Sequence, residues 1–104
     1  MLIKKIYFNS AARTVHFVYE DETVSGPIST RIDLLRAFLV AKHKGEITSD
    51  SFSALVEELV VCIDLLPYYV GEQKMMVQSL TYNQEQGYLT QAEFELLNKK
   101  IQKF

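Results

Sequence analysis

FSALVEELVVCIDLL, Phe52 to Leu66, is the longest apolar run of the chain. On a helical wheel, at about 100° per residue, Phe52, Leu55, Val56, Leu59, Val60, Cys62, Ile63 and Leu66 cover nearly half the circumference. Ala54, Val61 and Leu65 form a second apolar strip. Asp50, Ser53, Glu57 and Asp64 separate the two on one side, and Ser51 and Glu58 on the other. So little polar surface predicts a central helix that must be covered on more than one side. Its neighbours in a short chain are too few for that, so the expectation is that a second copy supplies the rest.

The helix has clear boundaries. Thr48 or Ser49 precedes it as a capping residue, and Pro67 ends it, because the residue before a proline avoids the helical region. Upstream, Ser29 or Thr30 can cap another helix, with Asp33 in its first turn answering the dipole. Its apolar stripe is Ile32, Leu35, Phe38 and Leu39, and it runs to Lys42, His43 and Lys44 before Gly45. Downstream, a third helix is expected over Val70 to Gln86 with Met75, Met76, Val77 and Leu80 inward, and a fourth over Thr90 to Gln102 with Phe94, Leu97 and Ile101 inward. The N-terminal segments Leu2 to Phe8 and Thr14 to Glu20 are rich in Ile, Val, Tyr and Phe and flank the turn residues Asn9 to Arg13, the pattern of a β-hairpin. A short third strand near Thr23 to Ser25 is expected to end at Gly26-Pro27.

The fold class is therefore α+β: an antiparallel hairpin or three-stranded meander over residues 1–28, then about four helices in two helical hairpins over 29–104, all in one domain. A chain of 104 residues, 48% hydrophobic and 23% charged, suits one core of moderate stability. Eleven Lys and Arg against thirteen Asp and Glu give a formal charge of −2, so no overall field draws the protein to nucleic acid or anionic lipid. The single cysteine, Cys62, excludes an intrachain disulfide and a Cys-rich zinc site. With no signal-peptide pattern at MLIKKIYFN and no apolar run of about 20 residues, no membrane association and a cytoplasmic location are expected.

Two segments repeat one pattern. Gly45-Glu-Ile-Thr-Ser-Asp-Ser-Phe52-Ser-Ala-Leu55 and Gly87-Tyr-Leu-Thr-Gln-Ala-Glu-Phe94-Glu-Leu-Leu97 share G-x-[IL]-T-x-x-x-F-x-x-L. The chemistry is that of a helix-helix corner. Gly ends one helix in a left-handed conformation, Ile47 or Leu89 packs back over the bend, Thr48 or Thr90 caps the next helix, and Phe and Leu enter the core. The second copy, through Gly87, Leu89, Thr90, Glu93, Phe94 and Lys99, resembles the short C-terminal helical hairpin called SHOCT. The first copy carries Ser51 where that pattern has an acid. The resemblance implies an interaction or oligomerisation module.

Chemical motifs are absent. There is no Gly-rich phosphate loop, Ser-His-Asp order, HExxH or paired catalytic carboxylate signature. Cys62 sits away from any base, and His16 and His43 lack companion ligands, so neither catalysis nor a metal or other cofactor is expected. An enzyme would require Asp64 to meet His16 or His43 in one cleft. The surplus of aromatic and aliphatic residues points instead to a non-catalytic binding or regulatory protein, a dimer or higher oligomer that engages a protein partner. Phe17, Tyr19, Val56, Val60 and Ile63 are the expected interface. The alternative is a sensor or sequestering protein for a small anionic or nucleotide-like ligand at a subunit interface, held by Arg13, Arg31, Arg36, Tyr68 and Tyr69.

Overall fold

β1 (Ile3–Asn9) and β2 (Thr14–Tyr19) pair antiparallel, with Ile6 opposite Phe17, Tyr7 opposite His16 and Phe8 opposite Val15. Asn9 makes the turn: its side-chain oxygen accepts the N–H groups of Ala11 and Ala12, both at 3.1 Å, and Arg13 closes the loop at φ +57°. This computed structural model describes all 104 residues and is α+β. Four helices follow the hairpin: α1 (Arg31–His43), α2 (Ser49–Leu65), α3 (Glu72–Glu85) and α4 (Gln91–Ile101).

The sheet has two strands. The segment expected as a third touches β2 only through isolated pairings, Val18 with Val24 and Val15 with Ile28. Gly26-Pro27 lies between them, and proline has no N–H to continue a ladder. That segment still seals one side of β2, for Ser25 Oγ accepts the Phe17 N–H at 2.9 Å and the Ser25 N–H reaches the Phe17 carbonyl.

Three of the four helix starts are capped by a threonine, and α3 begins after Gly71 without a side-chain cap. Thr30, Thr48 and Thr90 are the caps, their hydroxyls accepting the N–H groups of Asp33, Ser51 and Glu93. Gly45 and Gly87 adopt φ near +79° and +78°, which L-residues rarely do, and turn the chain after α1 and α3. Ile47 and Leu89 are buried at the two corners. The corners differ at one point: Thr90 and Glu93 form a reciprocal capping box, whereas Ser51 meets Thr48 hydroxyl to hydroxyl at 2.9 Å.

One apolar cluster unites the hairpin and all four helices. In α1 the buried set is wider than the predicted stripe, because Leu34 and Ala41 join Ile32, Leu35, Phe38 and Leu39. In α3 only Met76 and Leu80 of the expected inward residues are fully covered; Val77 is half-buried and Met75 lies exposed. The molecule is flat, 34 × 32 × 18 Å, so its broad faces lie close to the core.

The main face of α2 is covered from within the chain: Phe52, Leu55, Val56, Leu59, Cys62 and Ile63 are all buried. Three of the residues expected at a subunit interface are thereby corrected. Phe17, Val56 and Ile63 have at most 3% of their surface exposed and cannot meet another copy, because the hairpin and neighbouring helices already fill that space. Tyr19 and Val60 are half-buried against the same core. The second strip of α2 is different: Ala54, Val61 and Leu65 remain exposed. Asp50, Glu57 and Asp64 also face solvent.

Candidate functional site

The side of β1 away from β2 is an open strand edge, and the pairing shows which groups it presents. Phe17 and Val15 direct their N–H and C=O groups away from β1, towards Ser25 and Ile28. Their partners Ile6 and Phe8 must therefore point their own backbone groups the opposite way, since antiparallel pairs alternate between bonded and non-bonded. One of these groups is capped: Glu58 of α2 accepts the Ile6 N–H at 2.9 Å. The Ile6 carbonyl and both backbone groups of Phe8 have no such cap.

Below this edge runs α2. Val61, 61% exposed, and Leu65, 49% exposed, border a trough of about 480 Å³ with Tyr7 and Phe8. Lys5 and Glu57 stand at its margins. Apolar side chains beside unpaired strand groups are a template for another strand.

Cys62 is buried on the same side. Desolvation, and secondarily the Glu58 carboxylate, push its thiol up to about 11 from 9.0, so it stays protonated near neutral pH. A raised folded-state value means that the stabilisation is intact below about 9 and lost as pH climbs to about 11. Urea unfolding is expected to show a decline of about 2 kcal/mol over that interval, and Cys62→Ala to flatten it. Identical pH profiles for the two proteins would contradict this. Tyr19, raised by burial and then by Glu46, acts in the same direction.

The residues expected to bind an anion are dispersed. Arg31 does meet Tyr68, its guanidinium 5.7 Å from the ring centroid, but it also covers Phe104 at 5.3 Å and donates through Nε to the Leu66 carbonyl at 3.1 Å. Arg31 thus ties the start of α1 to the end of α2. Arg36 lies apart, on a groove between α1 and α3, and Arg13 stands in the hairpin turn. Tyr69 is exposed in the loop before α3.

His16 is held at both ring nitrogens: Nδ1 lies 2.9 Å from the Ser25 carbonyl, to which it can only donate, and Nε2 lies 2.9 Å from Thr14 Oγ1. His43 faces the α1/α3 groove, stacked on Tyr88 at 3.9 Å between centroids. Asp64 borders neither concavity, so the two histidines and this acid do not share a cleft.

Sequence reading passed over Glu58 and Glu72. Glu58 was a mere separator of apolar strips, yet it caps a strand from the distant N-terminus. Glu72 is buried at 4% exposure, its two oxygens accepting the N–H groups of Tyr69 at 3.0 Å and Ile32 at 3.5 Å. The only local hint was its place just after Gly71 at a helix start. No helix is long and apolar enough to cross a membrane. No protein-family model matches the chain, and neither curated proteins nor solved structures give a significant match.

Proposed function

We propose that the chain is a non-catalytic, regulatory binding protein that works as a symmetric homodimer in the cytoplasm, with β1 of one copy pairing antiparallel to β1 of the other. The observation that carries this reading is the uncovered Val61 and Leu65 strip beneath an open strand edge. With the two-fold axis at Tyr7, each Ile6 faces the other copy's Phe8, and the free N–H and C=O groups of both complete four hydrogen bonds. Lys5 then faces Asn9, so no like charges are opposed. Glu58 yields the Ile6 N–H to a carbonyl of the second copy.

The same pairing sets the two Tyr7 residues side by side. Each already contacts His16, with ring centroids 6.2 Å apart, and Tyr7 is 45% exposed. The dimer therefore presents a doubled aromatic patch on its outer sheet face, and that patch is the surface assigned to a protein partner. The resemblance of residues 87–101 to SHOCT hairpins, taken as interaction modules, accords with this role.

Sedimentation equilibrium tests the reading. At micromolar concentration the expected mass is twice the 12.0 kDa of one chain. Val61→Glu, at an exposed position, should leave the circular dichroism spectrum unchanged and weaken association by about 100-fold, the cost of desolvating an unpaired carboxylate. A wild-type protein that stays monomeric at about 100 µM, or a V61E dimer of wild-type affinity, overturns it.

A further inference from the structure

A second concavity, sharing no residue with the β1–α2 trough, lies between α1 and α3 and has a volume of about 430 Å³. That is within the range of small-molecule sites, about 300–1,000 Å³. Its walls are two helical stripes. Arg36, Leu39, Val40 and His43 recur at i, i+3, i+4 and i+7 on α1, and Met75, Gln78, Ser79 and Tyr82 do the same on α3. Tyr88 closes one end, stacked on His43.

Three features of the lining define what it could hold. No carboxylate borders it, although acids outnumber Lys and Arg in the whole chain. Arg36 is exposed and forms no ion pair, the three in the molecule being Lys4 with Glu22, Lys42 with Glu93, and Lys100 with Glu57. Its guanidinium is therefore free for a bidentate anion. Finally, Val40, Met75 and Tyr82 are each at least 40% exposed here, so apolar and aromatic faces stand open beside that charge. The Tyr82 and Tyr88 hydroxyls and the Gln78 amide make no hydrogen bond within the protein and supply further donors.

We infer that this groove binds a small planar aromatic anion of the nucleoside monophosphate class. The phosphate lies on Arg36 and the ring against Tyr82 and the apolar wall formed by Val40 and Met75. Charge complementarity selects the anion, and the aromatic and thioether surface selects the flat ring. The site lies within one chain, so it does not depend on the dimer.

Isothermal titration calorimetry with adenosine 5′-monophosphate, adenosine and inorganic phosphate tests the inference on the full chain. Adenosine 5′-monophosphate is expected to bind with a Kd of about 10–500 µM, and adenosine and phosphate at least about 10-fold more weakly. Arg36→Ala and Tyr82→Ala, both at exposed positions, should each weaken it by about 10-fold or more while retaining the wild-type melting temperature. V61E should bind as wild type does, which separates this site from the association surface. Absence of binding at about 5 mM overturns the inference. Equal affinity for phosphate alone, or unchanged affinity in both groove variants, does the same.

Discussion

Replacing Phe38 by alanine is expected to lower the unfolding free energy by about 4 kcal/mol. Phe38 is fully buried in α1 and packs on Phe52 of α2, with ring centroids 5.8 Å apart and planes inclined at 56°. The substitution removes the transfer free energy of a whole ring and leaves a void that two helices and the hairpin cannot all close. A domain of this size commonly has about 5–15 kcal/mol in total, so the variant should melt about 20 °C lower. Urea titration is the direct check: the midpoint falls and the m-value stays the same. Phe38→Leu, which keeps most of the volume, should cost far less. A loss below about 1 kcal/mol for Phe38→Ala would show that this ring is not at the centre of the core.

The second large effect is expected at Glu72. Its carboxylate is the one buried charged side chain, and it bridges two segments: the Ile32 N–H in the first turn of α1 and the Tyr69 N–H in the loop after α2. Both donors would lose their partner without it, Ile32 in a buried setting and Tyr69 in a half-buried one, and a buried donor without a partner costs about 1–3 kcal/mol. The negative charge also faces the positive end of α1. Glu72→Ala is therefore expected to destabilise by about 3 kcal/mol. Glu72→Gln should lose roughly half as much, since its amide oxygen can still accept one bond while its NH₂ group opposes the other donor. Amide hydrogen exchange adds a local readout. In E72A the Ile32 and Tyr69 amides should exchange faster than those of the α2 core. Equal stability of E72A and wild type would mean that solvent takes over both donors.

Both residues show how differently parts of the molecule can be recognised beforehand. Phe38 belongs to a stripe of period 3.6, and such stripes follow from chain geometry alone. The same holds for the paired corners: glycine tolerates positive φ, threonine caps the next helix, and Gly45 and Gly87 behave alike because the chemistry is local. Glu72 owes its burial in part to a group that approaches from forty residues away, the Ile32 N–H. No periodicity encodes that proximity. Met75 illustrates the same limit, since a methionine on a weakly amphipathic helix reads as core, whereas in the fold it lies exposed on the groove between α1 and α3.

The expected interface failed in an instructive way. Excess apolar surface on the central helix was correctly recognised, but the residues assigned to a second copy belonged to the broader stripe. The hairpin, α1 and α4 bury that stripe except for the half-buried Val60, and the narrower strip of Ala54, Val61 and Leu65 is what remains exposed. Likewise the arginines and tyrosines grouped as one anion site divide between a structural clamp at Arg31 and an open groove at Arg36.

What this chain's sequence alone determined was the α+β class, the hairpin, the four helices and the threonine caps of three of them, because each follows from interactions within a few residues. Tertiary structure alone decided which of two apolar strips on α2 stays uncovered, which edge of the hairpin remains open, and that Arg36 faces a groove with no ion-pair partner. Those outcomes depend on how elements distant in sequence pack against one another, and the burial of one face is settled by its neighbours in space.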